Sequence, residues 1–177
     1  TIRVNGVDYP SLSEMLNCLN EVVAESDILT RESLSIIHGD LCLPNILYDP
    51  RNEIIKLIDP RGKFGEFDIY GDPRYDLAKL RPSIVGHYEH LINSRFEATG
   101  VSTDATLSYE IYTTSEQEQR ENRFDMILTS ETDANLETVK LIEALLFLSM
   151  VPLHSDSFER QQCMLAQGIE KFSPFLG

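Results

Sequence analysis

Stretches in which apolar residues recur every second position alternate along this chain with stretches in which they recur every third or fourth. Ile2–Tyr9 alternates apolar and polar residues around Asn5-Gly6, a pair suited to left-handed backbone, and predicts a two-residue hairpin. Ser11 with Glu14 makes a capping box, and Leu12, Met15, Leu16, Leu19, Val22 and Val23 then share one helical face. This helix is expected to pack beneath the loop that follows Ile37. Ser35-Ile36-Ile37 reads as the end of a buried strand. Ile46–Tyr48 and Ile54–Ile58 flank the turn-forming Asp49-Pro50-Arg51-Asn52, predicting a second hairpin.

Lys63–Gly71 has glycines at 65 and 71 and aromatics at Phe64, Phe67 and Tyr70, and reads as a loop whose rings touch a ligand or anchor it on the core. Asp72-Pro73 opens a helix with a cap and a first-turn proline. Asp76 lies in that first turn, where a carboxylate complements the helix dipole. Leu77, Leu80 and Ile84 continue a buried face, and Pro82 is expected to break or kink it. His87 and His90 have no evident third metal ligand and read as ordinary helix histidines. Thr99–Thr103 reads as a loop and Thr106–Thr113 as an exposed strand. Ser115–Ser130 reads as a polar helix with Phe124, Ile127 and Leu128 inward. Leu136–Met150 is apolar on more than one face and should be the central helix, ended by Pro152. Ser155 or Asp156 is expected to cap a last helix reaching about Phe172. The expected fold class is α+β, predominantly α, in a single domain over residues 1–177.

Composition narrows the function classes. With 42% hydrophobic and 25% charged residues in 177, the chain suits one ordinary globular core. The longest apolar stretch, around Ala144–Val151, is too short for a membrane span, and the opening residues carry no charged-then-apolar leader, so a cytoplasmic protein without membrane insertion is expected. The net charge of −14 argues against a nucleic-acid polymer as partner. The three cysteines, Cys18, Cys42 and Cys163, are widely spaced, contain no CxxC, and read as reduced, mostly buried thiols.

The chemistry concentrates in Ile36–Gly62, IIHGDLCLPNILYDPRNEIIKLIDPRG. The hairpin holds three oxygen-bearing side chains, Asp40, Asn45 and Asp59, on loops at its base, and should bring Asn45 and Asp59 near each other. Phosphoryl transfer needs such a set: a carboxylate to orient the attacking hydroxyl, and oxygen ligands for the Mg²⁺ on the nucleotide phosphates. Asp and Asn also cap turns, but that reading must account for three matched features in order.

His38-Gly39-Asp40-Leu41 through Asn45, then Ile58-Asp59, then Asp76-Leu77-Ala78, resembles the aminoglycoside phosphotransferase and choline kinase family. The resemblance implies a kinase-like fold, of which this chain would be the C-terminal lobe with its catalytic β-hairpin packed on a helical bundle. It implies Asp40 as the catalytic base, with Asn45 and Asp59 as ligands of magnesium and through it of ATP or another nucleoside triphosphate. His38, Arg61 and Asp76 would be supporting residues, Asp76 through the catalytic loop. The partner it implies is a small-molecule acceptor, such as an aminoglycoside, an amino alcohol or a sugar. Only 37 residues precede His38, with neither a Gly-rich loop nor a lysine, so the N-terminal nucleotide-binding lobe of the same protein is expected to lie outside this chain, which alone would be inactive.

The pattern departs from the family after Asp59, where relatives often have an aromatic residue and then Glu, and this chain has Pro60-Arg61-Gly62. Arg61 either meets a phosphate or anionic substrate or pairs with Glu66 or Asp68. Three rival readings are an inactive kinase-like binding module, a metal-dependent phosphatase, and a purely structural helical domain.

Overall fold

The computed structural model describes residues 1–30, 34–63, 65–66, 68–101 and 105–176. Phe64 and Phe67, two of the three loop aromatics, lie outside the described residues. Strands β1 (Ile2–Val4) and β2 (Val7–Tyr9) form the first hairpin, with Asn5 and Gly6 at φ 48° and 84°, the left-handed pair that a tight turn between right-twisted strands requires. Two-residue strand β3 (Ser35–Ile36) follows, then the second hairpin of β4 (Ile46–Asp49) and β5 (Ile54–Leu57), then β6 (Tyr70–Gly71), which pairs antiparallel with β3.

Residues 99–101 are strand, not loop. They end β7 (Phe96–Val101), which pairs antiparallel with β8 (Thr106–Ile111) from Phe96↔Ile111 to Val101↔Thr106. Phe96, Ala98 and Gly100 point inward in alternation. The third is a glycine, over which the Gln162 side chain crosses, its Nε2 within 1.9 Å of where a Cβ would stand. That missing side chain hides the strand period in the sequence. β8 also pairs in parallel with β1, giving a four-stranded mixed sheet in the order β2-β1-β8-β7.

Helix α1 (Leu12–Glu25) starts at the capping box of Ser11 and Glu14. It buries Met15 and Val22 against Val4 of the sheet and Leu141, Ala144, Ile169 and Phe172, so it packs on the sheet and the last two helices rather than beneath the loop after Ile37. Leu16, on the outer edge of the expected face, is 65% exposed. Helix α2 (Pro73–Ile84) runs through Pro82 without breaking, and buries Ala78, Arg81 and Pro82 while Leu77, Leu80 and Ile84 are half-buried. The helical hydrogen bond lost at proline is offset by this packing and by Arg81, whose buried guanidinium meets Glu143 at 2.6 Å and also pairs with Asp125.

The short α3 (Tyr88–Ile92) precedes α4 (Ser115–Glu131), α5 (Leu136–Met150) and α6 (Phe158–Phe172). Leu128 of α4 is buried, Phe124 half-buried, and Ile127 faces outward. Helix α5 is central: Leu141 and Ala144, Phe147 and Met150, and Val139 enter three separate apolar clusters. Burying Phe147 completely contributes about 3 kcal/mol. After Met150 a 3₁₀ turn, Val151–His154, takes up the chain around Pro152. That extra turn shifts the α6 cap to Ser157, beyond Ser155 and Asp156.

The result is an α+β fold, 54% helical, with six α-helices and the mixed sheet among the described residues. Among the described residues no helix is long and apolar enough to cross a membrane. The β4–β5 hairpin stands off the helices instead of packing on them: seven of its eight strand residues are exposed, leaving Leu47, Tyr48, Ile55 and Leu57 open to solvent.

Candidate active site

The pairing of β3 with β6 delivers the chain to the site. Ile37 N–H continues the ladder to Ile69 C=O at 3.0 Å, so Ile37, His38 and Gly39 enter buried. The same β6 leads straight into α2, capped by Asp72, whose carboxylate accepts from Arg74 N–H at 2.9 Å. Strand pairing therefore sets the first turn of α2 beside residues 38 and 39. Asp76, in that turn, accepts the His38 N–H at 2.6 Å and the Gly39 N–H at 2.9 Å. One carboxylate thus satisfies two successive backbone donors that no strand or helix would otherwise serve.

Gly39 turns the chain with φ 75°, and a Cβ there would stand 2.9 Å from the Arg61 Cβ. Any other residue would be strained twice, by its backbone and by that neighbour. The turn presents Asp40. His38 ties the loop to the hairpin: its Nε2 lies 2.9 Å from Ile58 O, and Asp40 N–H approaches its Nδ1 at 3.3 Å. The tautomer that satisfies both contacts carries its proton on Nε2. His38 C=O accepts the Arg61 N–H at 2.9 Å.

Residues 43–45 make one 3₁₀ turn, started by Pro44, that aims Asn45 back at the loop. Its Nδ2 donates to Asp40 C=O at 2.9 Å, leaving Oδ1 as the side chain's remaining acceptor. Asn45 C=O accepts Ile58 N–H at 3.0 Å, which fixes the residue before Asp59. Asp59 itself is exposed and left-handed, φ 56°, a conformation that Asp tolerates better than most residues. It lies between Ile58 and Arg61, both clamped by hydrogen bonds, so Asp40, Asn45 and Asp59 belong to one stitched unit.

Arg61 forms no ion pair with Glu66, Asp68 or any other acid among the described residues; its stem covers Gly39. Lys79, one turn after Asp76 on α2, was not singled out by the sequence pattern, although its i,i+3 spacing from Asp76 places it on the same helical face. Its Nζ lies 3.2 Å from Asp40 Oδ1, with the lysine side chain 19% exposed and the aspartate 37%. Asp40 also acts on its surroundings. Burial, and after it Asp40, pushes the Cys42 thiol up; burial, with Cys42 and Asp40 behind it, does the same to the Tyr88 phenol.

A cavity of about 410 Å³ opens beside this loop. Leu43 and Ser83 form its near wall, joined by the approach of Leu43 N–H to Ser83 Oγ at 3.4 Å. Helix α4 forms the far wall with Arg120, Arg123 and Phe124, and α3 contributes Glu89 and His90. His87, the residue before α3, lines it too, held at φ 52°. The two histidines thus face a cavity, a role their spacing alone gave no means to see. Among the described residues no group of three or more His, Cys, Asp or Glu could hold a metal ion. The donor set at the loop is instead one amide oxygen and one carboxylate, Asn45 and Asp59. That suits Mg²⁺, which takes one or two protein oxygens and fills its remaining positions with phosphate and water.

No family model, curated protein or solved structure matches the chain.

Proposed function

We propose that this chain is the catalytic lobe of a Mg²⁺- and ATP-dependent phosphotransferase acting on a small-molecule hydroxyl, in the manner of the aminoglycoside phosphotransferase and choline kinase family. The observation that carries the reading is the stitched unit. Asp76 holds the backbone of His38 and Gly39, His38 holds Ile58 and Arg61, and Asn45 holds both Asp40 and Ile58. The Asn45 bond to Asp40 C=O is local, but the bonds of Asp76 to His38 and Gly39 and of His38 to Ile58 and Arg61 join segments far apart in the chain and lie beyond the reach of turn capping.

In this reading Asp40 orients the acceptor hydroxyl and takes its proton as the hydroxyl oxygen bonds to the γ-phosphorus. The bond from that phosphorus to the β–γ bridging oxygen breaks, and ADP leaves with the electron pair. Asn45 Oδ1 and the Asp59 carboxylate would hold Mg²⁺, whose charge, when bound, offsets that of the β- and γ-phosphates. Lys79 sets a further cation beside Asp40, where charge gathers during transfer. Arg61, without an acidic partner, is available to a phosphate oxygen. The exposed apolar residues of the β4–β5 hairpin support a covering partner, the nucleotide base together with an N-terminal lobe of the same protein.

The separated acids and the absence of a His- or Asp-rich cluster among the described residues give the phosphatase reading no support. A nitrogen-15 NMR titration of the 177 residues with ATP, with and without Mg²⁺, tests the proposal. Weak binding that moves Gly39–Leu47 and Ile58–Gly62 only when Mg²⁺ is present is expected, with negligible turnover by this lobe alone. Shifts confined to other surfaces, or none at millimolar nucleotide, would remove it.

A further inference from the structure

The cavity between the loop and α4 has a composition unlike that of the chain as a whole. The protein carries a net charge of −14, yet the cavity's far wall presents two guanidiniums, Arg120 and Arg123, against a single lining carboxylate among the described residues, Glu89. Arg120 is only loosely met by Glu116 at 4.0 Å, and Arg123 forms no ion pair among the described residues. The two arginines lie three apart on α4 and so share a helical face. Leu43 on the near wall and Phe124 on the far wall make the lining apolar on both sides.

Glu89 differs from the arginines in being turned inward. Its Oε1 is buried without a hydrogen-bond partner among the described residues, a costly state for a carboxylate oxygen unless a ligand donor completes it. Glu89 lies on the short α3, which follows α2, the helix that carries Lys79 to Asp40. The near wall leads to the same place, since Leu43 is three residues from Asp40 and Ser83 one turn beyond Lys79.

We propose that this cavity is an acceptor site selective for an anionic sugar, a uronate or a sugar phosphate. A sugar hydroxyl donates to Glu89, the ring's C–H face lies on Leu43 and Phe124, and the carboxylate or phosphate is taken by Arg120 and Arg123. Guanidinium forks match both anions in a bidentate manner. A volume of about 410 Å³ is within the range of small-ligand pockets and holds a monosaccharide with its anionic group. The two arginines disfavour a polycationic aminoglycoside, so the acceptor is set apart from that branch of the family. Calling the ligand an acceptor rests on the phosphotransfer reading; the binding itself does not.

The test is equilibrium binding, without nucleotide, of glucuronate, glucose 6-phosphate, glucose and kanamycin to the 177-residue protein. At least one anionic sugar should bind tenfold or more tighter than glucose, and kanamycin should not exceed glucose. Preference for glucuronate over glucose 6-phosphate, or the reverse, identifies which anion is recognised. Arg120→Glu with Arg123→Glu, both exposed positions, should abolish the anionic advantage and raise kanamycin affinity, with an unchanged thermal melt. Glu89→Gln should weaken glucose and its anionic analogues by similar factors. Equal affinity for glucose and both anions, preference for kanamycin in the unmodified protein, or no saccharide binding at all would overturn the proposal. Anionic-sugar binding without ATP-dependent phosphorylation in the two-lobed protein would remove the phosphotransfer reading alone. Phosphorylation of a neutral or cationic acceptor instead would remove only this one.

Discussion

Lys79 Nζ stands 3.2 Å from Asp40 Oδ1, and both side chains are partly shielded from solvent. The pair joins α2 to the loop three residues beyond the point where Asp76 already holds it. Under the proposed phosphotransfer, a cation at this position would stand beside the acceptor oxygen and the transferring phosphoryl group. Preorganised charge aimed at such a place is worth orders of magnitude in rate. In the two-lobed protein that the proposed function implies, Lys79→Met is expected to lower kcat about tenfold to a hundredfold with little change in the KM for ATP. An unchanged kcat, measured by ADP release, would reduce the pair to a structural contact.

Asp76 should behave differently, because it touches backbone and not substrate. Asp76→Ala leaves the His38 and Gly39 N–H groups without their acceptor in a buried place. An unsatisfied buried donor costs about 1–3 kcal/mol. Hydrogen exchange at these two amides should accelerate at least thirtyfold, and the melting temperature should fall. Asp76→Asn keeps one acceptor oxygen and should lose less. Exchange that stays slow in Asp76→Ala would mean that the loop is held by its other contacts.

How much of this was legible follows from the distance over which each feature is encoded. Asn5-Gly6 sets its turn locally, the Ser11–Glu14 box sets a helix start locally, and the run Leu136–Met150 announces a helix buried on several sides. The β4–β5 hairpin, written in two apolar runs and a turn, also shows in the sequence, and with it the closeness of Asn45 to the residue before Asp59. The pairing of β1 with β8 joins residues a hundred positions apart and leaves no local mark. The same holds for Arg81 with Glu143 and for Lys79 with Asp40, ordinary charged residues on helices until the fold brings them together. At Gly100 the strand signal is masked by a glycine, over which Gln162 crosses. At α6 the cap moved because the turn after Pro152 consumed residues that the pattern assigned to the helix start.

Glu170 offers a prediction about pH. Its carboxyl is pushed above the usual range by burial, against the opposing effects of the Tyr109 hydroxyl, which donates to it, and of Lys171. A folded-state pKa above the unfolded value means that the folded protein binds the extra proton. The stability this contributes is therefore complete below the ordinary carboxyl value of 4.5 and is lost as pH rises through the folded pKa. Glu170→Gln, which is neutral at every pH and can still accept from Tyr109, should melt higher than the parent at pH 7 and lose that advantage towards pH 4.5. A parent that melts higher than the variant at neutral pH would show that Lys171 outweighs burial at this site.

Asp59 carries the sharpest consequence of the proposed Mg²⁺ site. Its neighbours Ile58 and Arg61 are clamped by hydrogen bonds, and its own side chain extends into solvent, so the position can be changed without disturbing a core. Asp59→Asn preserves shape and replaces an anionic oxygen by a neutral amide. The substitution leaves Asn45 as a neutral ligand, too weak by itself to hold a hard divalent cation against water. Mn²⁺, a paramagnetic substitute for Mg²⁺, should broaden the Gly39 and Asn45 amide signals when added with ATP to the 177-residue protein. In Asp59→Asn that broadening should fall at least tenfold at equal Mn²⁺, while the melting temperature stays within a few degrees of the parent. The left-handed backbone at this residue helps the comparison, since Asn tolerates it as readily as Asp and introduces no new strain. Broadening that persists undiminished in the variant would assign the carboxylate a role outside metal binding and would leave Asn45 without its partner ligand.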